Sequence, residues 1–376
     1  MKQLSEKRPR RGIIGIPLSG AMKMAPTRNG RQQGLEGETM GGTMRALVYE
    51  GPRQLELRTM EIPRPGEQEV LVRVHWAGIC GSELSGYLGH NSLRKPPLVM
   101  GHEFAGVIHQ VGSRVEGLQS GDRVTANPLI SCGSCMECRS GRANLCPQRS
   151  LVGAGRPGAF AEYAVVPAGN IHLLPEAVSL DAAALAEPLA CAVRIARLAA
   201  LEPSDSLFIA GAGPIGLLVL RAAQRYGVKH TVVMDVNAER LGIVRAMGGL
   251  AVSCEEELAR VTPARGFDKC VDAVGIDATR QQCMGIARPG GRVVFSGLHA
   301  ADSALPVNTA IRNELTMLGS FGYNPIDFQI ALKWIEESGT GLETWTVHEP
   351  LENGKACFDK LLSGPGAVAK ILLELG

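Results

Sequence analysis

Aromatic residues make up only 4% of this 376-residue chain, and the charges nearly cancel, 39 Lys and Arg against 37 Asp and Glu. No run of eighteen consecutive apolar residues occurs. Each shortage excludes something. Without a long apolar run there is no segment to cross a bilayer as a helix. A formal net charge of +2 gives a nucleic-acid partner no electrostatic support. The scarcity of large rings, set beside 46 glycines and 45% hydrophobic residues, suits an α/β protein rich in tight turns and small-residue packing. The length suits about two domains. Six of the ten cysteines (Cys80, Cys191, Cys254, Cys270, Cys283 and Cys357) are scattered, as expected of reduced thiols in a cytoplasmic protein.

The first 43 residues have little that could build a core. Lys2 to Arg11 is basic, and Arg28 to Gly42 is polar and glycine-rich. Residues 1–43 are therefore expected to be a disordered extension, with Met44 as the natural start of the protein. The apolar piece Ile13 to Leu18 is short for a signal peptide and is broken by Gly15 and Pro17. A transit peptide is the alternative reading.

The other four cysteines are concentrated. Cys132, Cys135 and Cys138 are spaced by two residues, and Cys146 follows eight positions later. That spacing can bring four thiolates around one tetrahedral zinc ion in a closed, structural site.

Met44 to Glu50 and Glu69 to Ala77 alternate apolar and polar residues, and Phe104 to Val111 and Ala161 to Pro167 are further β-branched runs. The first half thus reads as a β-rich domain. From Ser179 the texture becomes alanine-rich and helical, with Glu187-Pro188 as an interruption. A nucleotide-fold unit follows: strand Ser206–Ala210, the turn Gly211-Ala212-Gly213-Pro214-Ile215-Gly216, a helix from Leu217 to Tyr226, and strand Thr231–Met234. Asp235 ends that strand, nineteen positions past Gly216. In this context the G-x-G-x-x-G turn reads as a pyrophosphate cradle at a helix N-terminus. Asp235 can accept hydrogen bonds from ribose hydroxyls and would repel a 2′-phosphate, which favours NAD over NADP; Arg240 is a further candidate contact or simply a surface charge. Phe267–Asp272 and Gly291–Gly297 supply later strands of a doubly wound sheet.

Cys80-Gly81-Ser82 lies at a predicted strand end, and Gly101-His102-Glu103-Phe104-Ala105-Gly106 is followed by Gly112 and Val115. With this G-H-E-x-x-G-x5-G-x-x-V pattern, the chain from Met44 to its C-terminus resembles the zinc-containing medium-chain alcohol dehydrogenase superfamily. The sequence Ala186-Glu187-Pro188-Leu189 is similar to the polyol (sorbitol-like) branch. The resemblance implies a catalytic zinc on Cys80, His102 and Glu103, with Glu187 as an alternating or water-bridged ligand, and two zinc ions per chain in all. Cys191, one helical turn past Glu187, is either a rival ligand or a small core thiol. An open position on such a zinc lowers the pKa of a bound hydroxyl, and a hydride then passes to the nicotinamide. A carboxylate in place of a thiolate makes the metal harder, which suits oxygen-rich substrates.

Ser82 matches the family's proton-passing hydroxyl, and it can also be read as a helix cap. Glu83 stands where relatives carry aspartate, and Ser85 stands where a relay histidine is common, so proton exit must use water, Ser85 or another group, with His90 nearby in sequence. The polyol branch carries Phe-Arg-Tyr near the subunit contact, whereas this chain has Phe321-Gly322-Tyr323. That argues against plain sorbitol as substrate. The resemblance implies a GroES-like β-rich catalytic domain (44–190 and 326–376) and a Rossmann NAD-binding domain (191–325). The expected activity is NAD-dependent oxidation of a secondary alcohol in a polyol, sugar or cyclitol. Threonine 3-dehydrogenase-like or simple alcohol dehydrogenase activity is the alternative, and a non-catalytic zinc- and nucleotide-binding protein is the remote one. A homodimer or homotetramer is expected, with Leu315 to Gly319 as a contact.

Overall fold

The computed structural model describes residues 42–376, so the expectations for residues 1–41 lie outside the described residues. The first strand, Thr43–Gly51, turns at Pro52 and pairs antiparallel with Gln54–Glu61. The main sheet of this half is centred on Glu69–Gly78, flanked by Glu103–Val111, Tyr163–Pro167 and the last strand of the chain, Lys370–Glu374. Val70, Leu71, Val72, Val74 and Ala77 on the central strand are all buried, so both of its faces are covered.

Register in this sheet positions the chemistry. Gly78 sits opposite Glu103 on one side and Leu372 on the other. A Cβ on Gly78 would lie 2.3 Å from Glu103 Oε2 and 3.1 Å from Lys370 Cε. Only glycine leaves room there for the two long side chains to meet.

The second sheet has six strands, all parallel, in the order Leu250–Val252, His230–Met234, Ser206–Ala210, Phe267–Asp272, Ala287–Phe295, Thr316–Gly319. In chain order this is 3-2-1-4-5-6, the doubly wound arrangement of dinucleotide-binding folds. Its strands are near-continuous apolar runs because helices cover both faces. Together the two sheets give the expected α/β class.

One local expectation is corrected. The helical region is interrupted, but at Leu185, between helices Leu180–Ala184 and Ala186–Ala199, so Glu187-Pro188 falls in the first turn of the second helix. A first-turn residue has no intrahelical acceptor for its N–H, so the missing donor of Pro188 costs nothing there. This helix packs at one end against Glu103–Val111 and farther along against the parallel strands. It joins the two halves. No helix among the described residues is long and apolar enough to cross a membrane.

Candidate active site and metal centres

Cys80 is the N-cap of the short helix Gly81–Tyr87. Ser82 therefore lies inside that helix, and the capping role read for it falls to Cys80 instead. Glu83, three residues on, returns to the cap: its Oε2 accepts from Cys80 N at 2.8 Å. Its Oε1 accepts from Gly101 N at 2.9 Å and from His102 Nδ1 at 2.7 Å. Glu83 is fully buried and His102 nearly so. With Nδ1 donating to a carboxylate, the Nε2 lone pair of a neutral imidazole is left for another partner.

Cys80, His102 and Glu103 each offer a ligand atom, all within 4.8 Å of one another. Oε1 of Glu103 is sealed from water with no hydrogen-bond partner among the described residues. Its Oε2 touches the ammonium of Lys370 as an ion pair that is not aligned as a hydrogen bond. Sulfur, imidazole and an orphaned carboxylate oxygen form a donor set that fits zinc with an open position. Burial opposes charge on His102, but Glu83 and Cys80 more than offset it and hold its pKa well above the usual value. Lys370 behaves likewise: burial works against its charge, and Glu103 and Cys80 outweigh it.

Glu187 does not lie within that distance of all three, but its charge is felt by the same cluster. Burial pushes its carboxyl up to about 7, with the nearby Glu103 adding to the effect. Cys191 Sγ donates towards Glu187 Oε1 at 3.9 Å, and burial and Glu187 push its thiol far up. Tyr323 is buried beside them, donating its hydroxyl to Asn127 Oδ1 at 3.3 Å. Gly322 adopts φ +53, a conformation that the arginine of the polyol branch would occupy only at a cost. His90, named above as near the relay in sequence, is exposed.

Lys370 and Arg94 were not singled out from sequence. A lone lysine in the apolar run Val368 to Leu373 was the available signal for the first; Arg94, in a polar loop, offered none. Arg94 is only 4% exposed, and its Nη2 donates to Ser82 Oγ at 3.1 Å. Ser82 Oγ in turn lies 3.5 Å from Cys80 Sγ.

The four clustered cysteines also converge, with their sulfurs within 4.8 Å of one another. Backbone amides of Cys132, Cys135 and Cys138 point at Cys146, Cys132 and Cys135 sulfurs at 3.5, 3.4 and 3.5 Å. Amides from Ser134 and Cys135 draw the Cys132 thiol down to about 6. At Cys135 the amide of Cys138 also favours ionisation, but burial and the neighbouring sulfurs win and push it up to about 11. Such a split is what crowded thiols give when only some can ionise together, and a divalent cation would remove the conflict. The lobe docks on the end of the second sheet: Asn144 Nδ2 donates to Phe321 O at 2.8 Å, and Arg149 lies over the Phe321 ring.

At the glycine-rich turn, Gly211 has φ +100, and a Cβ on Gly216 would be 1.8 Å from Gly211 O. A Cβ on Gly213 would meet nothing within 4 Å. The open space faces the N-terminus of helix Pro214–Arg225, which starts with Pro214 and Ile215, and fits a pyrophosphate. Asp235 Oδ2 accepts from Ala212 N at 2.7 Å and Oδ1 from Asn237 N at 2.8 Å, so the carboxylate ties the turn to the second strand. Each oxygen keeps a further lone pair. Arg240 Nε is buried without a partner among the described residues.

Residues 66–176 match the alcohol dehydrogenase GroES-like domain and residues 214–337 the zinc-binding dehydrogenase domain. The chain is 33% identical to the "Probable D-xylulose reductase A" of Arthroderma otae, over 85% of this chain and 95% of that protein. It is 34% identical to an L-threonine 3-dehydrogenase of Deinococcus deserti, over 84% and 94%. Among solved structures, the alcohol dehydrogenase (rspB) of E. coli CFT073 complexed with NADH superposes with a TM-score of 0.83 at 31% identity, covering 89% of this chain and 100% of that one.

Proposed function

We propose, for a chain that belongs to the zinc-binding dehydrogenases with an alcohol dehydrogenase GroES-like domain, that it moves a hydride between NAD and a secondary carbinol of a polyol, sugar, cyclitol or related hydroxy compound. It is an oxidoreductase of that family. The observation carrying the finer reading is the convergence of Cys80, His102 and Glu103, with one Glu103 oxygen left unpartnered. Zinc held there would act as a Lewis acid on the substrate hydroxyl, and zinc on the four clustered thiolates would be structural.

The protein's own groups do the rest. Glu83 fixes the His102 tautomer and ring plane, so that Nε2 is the ligand atom. Lys370 balances Glu103 and limits the negative charge facing a developing alkoxide. Ser82 Oγ, 3.5 Å from Cys80 Sγ, would take the proton of the substrate hydroxyl. Glu187, outside the compact triad, would act as the water-bridged or alternating ligand. Gly211, Gly213 and Gly216 leave room for the pyrophosphate, and Asp235 has lone pairs left for the ribose hydroxyls, favouring NAD. A second copy of the chain would pair at the outer edge of Thr316–Gly319, the last strand of the parallel sheet.

The test is nicotinamide absorbance during incubation of the zinc-loaded protein with NAD and a panel of sugar alcohols, cyclitols and hydroxy amino acids. Turnover that disappears in Cys80→Ser supports the reading. A protein that binds zinc and NADH yet turns over nothing in the panel returns the reading to a non-catalytic zinc- and nucleotide-binding protein.

A further inference from the structure

Arg94 is a buried cation without a contact counter-ion. No carboxylate among the described residues lies within salt-bridge distance of it. Its Nε is sealed from water with no partner, and its one hydrogen bond goes to the neutral hydroxyl of Ser82. Glu83 is near enough for the two charges to interact, but both its oxygens are engaged by Cys80 N, Gly101 N and His102 Nδ1. Sealing the Nε–H of a guanidinium from water without a partner is costly.

The location gives that cost a purpose. The flanking Leu93 and Lys95 line an outward-facing cavity that Arg94 does not line. Arg94 instead turns inward against the Gly81–Tyr87 helix, where a Cβ on Gly86 would lie 2.4 Å from Arg94 Cδ. From there Nη2 reaches Ser82, whose Oγ is 3.5 Å from Cys80 Sγ. The guanidinium is thus one hydroxyl away from the metal-ligand cluster. Nη1 makes no hydrogen bond to the described residues and is not among the sealed atoms, so it keeps contact with solvent.

We propose that Arg94 is a specificity residue that binds an anionic group, carboxylate or phosphate, carried close to the reacting carbinol of the substrate. This rests on the dehydrogenase reading and narrows its substrate class from neutral polyols to hydroxy acids or phosphorylated alcohols. The planar guanidinium suits both anions, and an anion there would give a contact partner to a buried charge that has none among the described residues.

The experiment compares glycerol with glycerate and with glycerol phosphate, which separates the neutral carbinol from the carboxylate and phosphate sources. It uses zinc-loaded wild type, Arg94→Met and Arg94→Lys, each checked for a native thermal transition. Turnover is followed with NAD, and binding to the NADH complex is followed by nicotinamide fluorescence. The expected result is that one anion exceeds glycerol by roughly 10- to 100-fold in kcat/KM or in affinity, from a charged hydrogen bond. That ratio falls towards one in Arg94→Met and is partly kept in Arg94→Lys. Glycerol equal to both anions, or Arg94→Met weakening all three alike, overturns the proposal. Turnover without an Arg94-dependent preference sinks the anion site alone. Arg94-dependent anion binding without any turnover sinks the dehydrogenase reading alone.

Discussion

Glu83 Oε1 and His102 Nδ1 lie 2.7 Å apart, and Glu83 accepts two further N–H groups, from Cys80 and Gly101. One carboxylate thus fixes two residues of the metal cluster, the backbone of Cys80 and the ring of His102. Glu83→Gln leaves a single acceptor oxygen for three donors and turns an amide N–H₂ against one of them. Zinc affinity at the Cys80 site should fall roughly 10- to 100-fold, read by chelator competition. An unchanged affinity would mean that Glu83 is only a buried structural acid.

Lys370 is the counter-ion of Glu103, and both side chains are buried. Lys370→Met strands the carboxylate in a low-dielectric environment. With the metal at Cys80 removed by chelation, unfolding in urea should show a loss of about 3–5 kcal/mol. Glu103→Gln in the same chain should restore part of it. A loss below about 1 kcal/mol would show that water already reaches the pair.

Gly213 and Gly216 should behave oppositely. A methyl on Gly213 points into open space, so Gly213→Ala should leave stability within about 1 kcal/mol yet weaken NADH binding, measured by fluorescence titration. A methyl on Gly216 meets Gly211 O at 1.8 Å. Gly216→Ala should therefore cost about 1–3 kcal/mol or more as overpacking, measured by thermal unfolding. Equal effects on binding and stability at both positions would contradict the pyrophosphate cradle.

Asp268 supplies a pH dependence. Partial burial opposes its charge, but N–H and hydroxyl donation from Ser206 and the Arg288 guanidinium prevail and hold its pKa at about 2. A carboxyl lowered in the folded state stabilises fully above its unfolded pKa and loses that contribution as pH falls towards 2. Asp268→Asn should cost ~1–2 kcal/mol at pH 7, allowing for the part of the group that water screens. The gap between variant and wild type should close between about pH 4 and pH 2. A gap independent of pH would assign the effect to packing.

The parts of the site legible in the sequence are those whose geometry is local. Cys132, Cys135, Cys138 and Cys146 converge because short spacings within one loop leave few other arrangements. Gly211 to Gly216 is read from strand, turn and helix in direct succession. Adjacent His102 and Glu103, and Cys80 at a strand end, were visible through the family pattern. Lys370 was not, because its partner is 267 positions away and the contact depends on sheet register across Gly78. Arg94 was hidden for a similar reason: nothing in a polar loop says which side chain folds inward. The break between the two helices was placed at Glu187-Pro188 rather than at Leu185, because alanine-rich sequence runs across both helix ends and leaves no mark at the junction.

On the proposed reading, Cys80, His102 and Glu103 hold a catalytic metal separate from the four-cysteine lobe and from the dinucleotide turn. Zinc per chain, NADH affinity and turnover, measured together on wild type and His102→Ala, test it most directly. Wild type should hold two equivalents of zinc and the variant one, with turnover lost and NADH binding retained. One equivalent in an active wild type, or a His102→Ala variant that keeps its turnover, would contradict it.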